Sequence, residues 1–128
     1  MSSYIRALEC PKCKKQYDFK KLTNLCECGT PLLVAYDLDA LSQDLEPSDW
    51  QRRPEGLWRY SELLPVLDDE NVVSLGEGGT PVFRLPEMGK NYGVMNLYLK
   101  DEGMNPSGTF KARGAAVGVS KAKELGVN

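Results

Sequence analysis

Four cysteines constrain this chain more than any other feature. They run Cys10-Pro11-Lys12-Cys13, then twelve residues, then Cys26-Glu27-Cys28 followed by Gly29. Two short-spaced pairs at such a separation can bring four thiolates around one tetrahedral ion. A CxxC turn aims both sulfurs at one point, and Gly29 gives the second turn its backbone freedom. The second pair is CxC, a less specific pattern than CxxC. Lys12, Lys14 and Lys15 lie close by and would offset the charge of four thiolates. The alternatives are a metal-free thiol cluster or two disulfides. Disulfides are disfavoured, because the N-terminal MSSYIRALEC has no apolar signal-peptide core. The expected ligands are therefore Cys10, Cys13, Cys26 and Cys28, around zinc rather than iron. Four protein ligands leave no open position, so such a metal would be structural. A block of about 37 residues also buries too little core to stand by packing alone.

The whole chain has 128 residues, enough for one domain or for a small module plus part of a larger one. Apolar residues make up 41% and charged residues 27%, the balance of a soluble globular protein. Net charge is −2 with no acidic or basic block, which argues against nucleic-acid and membrane-surface partners. No apolar run approaches the length that spans a bilayer. These features point to a cytoplasmic protein. Histidine is absent, so no histidine-based triad or histidine general base can come from this chain.

Three blocks are expected. Residues 1–37 form the cysteine module. Residues 38–70, with Pro47, Pro54, Pro65 and two tryptophans, read as linker and short helix, LWRYSELL (57–64) being the helical piece and Pro65 its stop. Residues 71–128 open an α/β unit. Here VVSL (72–75) is expected as a strand, GEGGTP (76–81) as a loop, VFRL (82–85) as a second strand, EMGKNYG (87–93) as a loop or turn, and NLYLK (96–100) as a strand. From Thr109 onward Ala112, Ala115, Ala116, Val119, Ala122 and Leu125 fall at helical spacing, with Thr109 as N-cap and Gly126 as the closing residue. The sequence given stops just after that helix, so the domain is expected to be incomplete, since a parallel sheet needs further elements to cover it.

Two loops invite chemistry. Gly76-Glu77-Gly78-Gly79-Thr80-Pro81 is not a dinucleotide fingerprint, because Pro81 stands where the third glycine belongs. It is either a flexible strand exit or a loop lining a site. In Asn105-Pro106-Ser107-Gly108-Thr109-Phe110-Lys111, a small-residue turn delivers a lysine to a helix start, where a cation is locally unfavourable. Gly114, Ala115 and Gly118 share its face and carry little bulk. Either the helix packs closely on a sheet there, or a flat cofactor passes within reach of the amine. Nearby cations and helix-terminal N–H groups disfavour the charged form of such a lysine, and a free amine is what imine chemistry with an aldehyde requires. The plain alternative is a solvated surface lysine.

LYLKDEGMNPSGTFKARGA (97–115) resembles the lysine motif of the fold-type II pyridoxal-phosphate enzymes. SLGEGGTP (74–81), LWRYSELLP (57–65) and the cysteine segment through residue 38 are similar, in that order, to the N-terminal part of the threonine synthases within that family. The resemblance covers essentially the whole chain, which corresponds to about the first third of such an enzyme. It implies a zinc-ribbon-like knuckle followed by the start of a fold-type II α/β domain. It further implies that Lys111 holds pyridoxal 5'-phosphate and moves protons, that Phe110 lies near the pyridine ring, and that Asn105, Ser107, Gly108 and Thr109 shape the turn. The implied enzyme is a lyase taking a small amino-acid substrate, O-phosphohomoserine, with water to threonine and phosphate, as a homodimer. These 128 residues alone are expected to be inactive. Ala112 departs from the family's common KDRG run, which widens the substrate question to ammonia-lyases and replacement enzymes of the same fold. Arg113 carries over as part of the motif, in a structural or a binding role. A binding module without catalysis is the reading from a different class.

Overall fold

The computed structural model describes residues 3–127, and its architecture is mixed α/β. Strand β1 (Ile5–Glu9) is the centre of a three-stranded antiparallel sheet, flanked by β2 (Gln16–Tyr17) and β3 (Leu33–Tyr36). Its IRALE sequence alternates, so Ile5 and Ala7 are buried on one face while Arg6 is exposed on the other. Between β1 and β2 the chain reverses tightly. Lys14 adopts φ +63°, and the Cys10 N–H donates to the Lys15 carbonyl at 2.9 Å. A second reversal at Cys26–Thr30 uses Gly29 at φ +78°, as its sequence position led one to expect.

The Asp37 carboxylate caps α1 (Leu38–Asp44) by accepting the Ala40 N–H at 3.0 Å. Pro47 pre-sets the first turn of α2 (Pro47–Gln51). LWRYSELL does coil, but as a tight 3-10 segment, Leu57–Leu63, kinked at Tyr60 and ended before Pro65. This segment is tied back to the first sheet, with the Tyr4 N–H donating to the Glu62 carbonyl at 2.9 Å. Glu62 is buried and receives both prongs of Arg53, at 2.7 and 2.9 Å, and the Trp50 indole N–H at 3.2 Å. The Arg53 guanidinium, with the Trp50 indole assisting, holds the Glu62 carboxyl down at about 2.

Two expectations fail downstream. VVSL is not a strand. The Val73 N–H donates to the Ser120 hydroxyl at 2.8 Å, and the same hydroxyl reaches back to the Val73 carbonyl at 3.4 Å. Main chain satisfied by a helix side chain has no need of a neighbouring ladder. EMGKNYG is not a loop, since Pro86–Asn91 forms helix α3. Pro86 supplies its first turn, and Glu87 pairs with Lys90 at 2.8 Å on the next. Gly89 suggests a turn in the sequence, but it serves close packing. A Cβ there would stand 2.3 Å from the Val94 carbonyl oxygen.

Strands β4 (Val82–Arg84) and β5 (Tyr98–Lys100) form where expected and pair antiparallel with each other, Phe83 facing Leu99. Every residue of this ribbon is exposed. Helix α4 (Lys111–Glu124) begins two residues after Thr109. Phe110 occupies the N-cap without a side-chain cap, and the Thr109 hydroxyl instead accepts the Lys111 N–H at 3.3 Å. At the other end Gly126 has φ +68°. Its N–H donates to the Lys123 carbonyl and the Val127 N–H to the Ala122 carbonyl, a Schellman closure. Ala116 and Ser120, one turn apart, are the buried face of α4. The Glu124 carboxylate accepts the Leu67 N–H at 2.6 Å and fixes the far end of the helix to the linker. No helix among the described residues is long and apolar enough to cross a membrane.

Candidate functional site

The lysine turn is built from Asn105. This side chain is buried, with its Nδ2 donating to the Glu102 carbonyl at 2.9 Å and its Oδ1 accepting the Gly78 N–H at 3.0 Å. Its carbonyl accepts the Gly108 N–H at 2.7 Å, and Gly108 takes φ +69°, which a glycine adopts without strain. Ser107 and Thr109 bond to one another around that corner. The chain therefore arrives at Phe110 and Lys111 along one defined path. The Phe110 ring is 64% exposed, and the Lys111 side chain is exposed as well. Among the described residues Lys111 Nζ has no hydrogen-bond or ion-pair partner. Gly114 and Gly118 continue its face along α4, and a Cβ at either would meet nothing within 4 Å. Among the described residues, the face at Gly114 and Gly118 is thus open, with no strand packed on it.

Sequence reasoning missed the network behind this turn. Arg113 lays its guanidinium on Glu102, Nε to Oε2 and Nη2 to Oε1, both at 2.8 Å. The Thr80 hydroxyl donates to Glu102 Oε1 at 2.5 Å, and Asn105 Nδ2 to Oε2 at 3.1 Å. Arg113 first, then Thr80, hold the Glu102 carboxyl at about 2. Glu102 and Arg113 are eleven residues apart on a 3-10 turn and a helix, a spacing no periodicity flags. Arg113 is accordingly seen in a structural contact.

The glycine loop is not a flexible strand exit. Glu77 is 2% exposed and collects the Trp58 indole N–H and the Leu75 N–H, each at 2.9 Å, and the Ser74 hydroxyl at 3.0 Å. Burial pushes its carboxyl up, but these donors outweigh burial and bring it below the usual range. The Glu77 carbonyl accepts the Leu57 N–H at 2.9 Å, which seats the loop on the LWRY segment. Of the clefts that border the loop, two reach helix α4. One, about 160 Å³, is apolar and runs between Val73, Leu75, Pro106, Ala112, Ala115 and Val119. The other, about 340 Å³, is polar and includes Arg59, Tyr60, Thr80, Lys100, Glu102 and Arg113.

The four cysteines converge at the opposite end of the chain. Their sulfurs all lie within 4.8 Å of one another, Cys13 to Cys26 at 3.4 Å and Cys10 to Cys28 at 3.6 Å. Tetrahedral thiolates at a zinc–sulfur bond of about 2.3 Å sit roughly 3.8 Å apart, so the spacing suits one ion. Cys10 and Cys26 are buried, and Cys13 and Cys28 are exposed. The Tyr17 hydroxyl donates to Cys26 Sγ at 3.2 Å and lowers that thiol to about 6, aided by the Cys28 backbone N–H. The expected role of the lysines is partly redirected, because Lys15 pairs with Glu27 at 2.7 Å and Lys14 with Glu9 at 3.6 Å.

Against known families, residues 73–127 match the model described as pyridoxal-phosphate dependent enzyme. The match covers less than half of the chain. Its bounds take in the glycine loop, the β4–β5 ribbon and the lysine helix. Over 118 residues, 92% of its length, the chain is 46% identical to a threonine synthase of Methanocaldococcus jannaschii. Over 122 residues, 94% of the chain, it is 38% identical to one from Methanosarcina acetivorans. Against the threonine synthase of Halalkalibacterium halodurans it is 47% identical over 70 residues, 55% of the chain. The chain spans 29% of the length of each of the first two relatives and 20% of the third.

Proposed function

We propose that this chain is the lysine-bearing N-terminal part of a threonine synthase-like, pyridoxal-phosphate-dependent lyase. The observation that carries the reading is the setting of Lys111. Within the segment that matches that family's model, its amine is exposed and, among the described residues, unpartnered, on the α4 face that Gly114 and Gly118 continue. These residues fit a flat aromatic aldehyde, since among the described residues a Cβ added at Gly114 or Gly118 would meet nothing within 4 Å. Pyridoxal phosphate, when bound, supplies the electron sink for the chemistry. Lys111 Nζ would hold the cofactor and move protons at the substrate carbons. Phe110 borders the ring. Asn105, Ser107, Gly108 and Thr109 fix the turn, so that the amine is presented without having to order a loop. The substrate is a small amino acid, O-phosphohomoserine, which with water gives threonine and phosphate.

Reduction of the full-length holoenzyme with borohydride, followed by peptide mass spectrometry, is expected to find the pyridoxyl group on Lys111. An adduct on another side chain overturns the assignment. Ala112 favours keeping a second substrate reading, because it adds a methyl group to the apolar cleft where the family commonly places a carboxylate. Release of ammonia and a keto acid from serine or threonine, with no turnover of O-phosphohomoserine, would select the ammonia-lyase alternative.

We also infer a structural zinc ion on Cys10, Cys13, Cys26 and Cys28. Support comes from the sulfur spacing and from the closed, four-thiolate donor set. Elemental analysis of protein purified without chelator is expected to give one zinc per chain, and its absence would refute the site. Dimerisation of the full-length enzyme and a cytoplasmic location complete the proposal, and sedimentation and cell fractionation test them.

A further inference from the structure

We propose that Glu102 is a positioning residue for Lys111, acting through Arg113 and Asn105; this rests on the reading that Lys111 takes the cofactor. The first turn of α4 is weakly defined by its own bonds. Phe110 lacks a side-chain cap, and the opening links Ala112 N–H to the Thr109 carbonyl and Arg113 N–H to the Phe110 carbonyl are long, at 3.3 and 3.2 Å. The firm anchor is the two-pronged pair of Arg113 on Glu102. Two residues along a helix correspond to roughly 200° of rotation, so Arg113 grips the back of the turn while Lys111 stands on its front. A planar guanidinium held at two points fixes both the rotation and the height of the helix start, and so the path open to the Lys111 amine.

The same carboxylate fixes the other two walls. Oε1 takes the Thr80 hydroxyl from the end of the glycine loop, and Oε2 takes Asn105 Nδ2 from the lysine turn. Asn105 passes the link on to the Gly78 N–H. Three separate segments therefore meet on one side chain. Loss of Glu102 frees the glycine loop and the lysine helix to move independently. The consequence falls on the geometry of amine capture, with no effect on which residue is captured.

The test uses full-length apoenzyme and follows capture of added pyridoxal phosphate by stopped-flow absorbance. Glu102→Gln keeps the shape but not the charge, and Arg113→Lys keeps the charge but not the fork. Both are expected to slow capture about tenfold or more, with borohydride-trapped label still mapping to Lys111 and faster amide exchange at Gly78. Glu62→Gln, which breaks the remote Arg53 pair, serves as a control of comparable thermal destabilisation and should capture at the wild-type rate. Should Glu102→Gln prove unfolded, Arg113→Lys carries the measurement alone. Wild-type capture by a folded Glu102→Gln or Arg113→Lys, or slowing of the Glu62→Gln control to the same degree, overturns the proposal. Label on a residue other than Lys111 in the wild type instead refutes the functional reading on which it rests.

Discussion

Gly78 lies so close to Leu57 that a Cβ on it would stand 2.5 Å from the Leu57 backbone nitrogen. Its φ of +93° is also outside the range L side chains favour. The clash is with backbone, so no rotamer change relieves it. Gly78→Ala is expected to destabilise the fold by about 2–4 kcal/mol. Gly76→Ala, also at positive φ but with nothing within 4 Å of the new Cβ, should cost about 1 kcal/mol. Chemical denaturation of the two variants checks the difference, and equal losses would refute the packing argument.

The Arg53–Glu62 pair predicts an acid limb. Its folded carboxyl lies at about 2, below the ordinary 4.5, so the folded state binds its proton less readily than the unfolded state. The stabilisation is fully present above about pH 4.5 and is lost as pH falls toward 2. A shift of that size corresponds to at most about 3–4 kcal/mol. Glu62→Gln should flatten the stability profile between those values, and an unchanged slope would show that another carboxylate governs it.

Ser120 predicts a hydrogen-bond loss without a cavity of any size. Its hydroxyl is fully buried and satisfies both backbone groups of Val73. Ser120→Ala removes one oxygen and leaves those groups unmatched, costing about 1–3 kcal/mol. Faster amide exchange at Val73, read by mass spectrometry, is the expected signature.

The cysteine cluster predicts metal-dependent order in the N-terminal sheet. Treatment with a strong chelator, or Cys26→Ser, should release zinc and lower the melting temperature of the full-length enzyme. Amide exchange should rise first in β1 and β2, whose connection carries Cys10 and Cys13. Tyr17→Phe removes the hydroxyl that bonds Cys26 Sγ and should weaken zinc retention about tenfold or more. Exchange unaffected by chelation would mean that the sheet stands on its own core.

What the sequence disclosed depended on how local the determining physics was. The body of α4 and its glycine closure were legible, because periodicity and a Schellman glycine act within a few residues. So were β4 and β5, bounded by prolines and turn residues. VVSL misled because four apolar-rich residues say nothing about what their main chain will bond to, and here the partner was Ser120, 47 residues away. EMGKNYG misled because Gly89 marks a close approach to Val94 inside a helix. The lysine turn could be read from its residues, whereas its anchor on Glu102 could not. That carboxylate joins positions 80, 105 and 113, which only the folded chain brings together.

The β4–β5 ribbon has a practical corollary. Its main-chain donors and acceptors on the outer side of each strand are unclaimed among the described residues, and Val82, Phe83, Tyr98 and Leu99 stand in water. Such rims template any extended polypeptide that drifts past, including another copy of themselves. Recombinant production of these 128 residues alone should thus be limited by precipitation before it is limited by folding. A lysine introduced at Phe83 would be the simplest remedy.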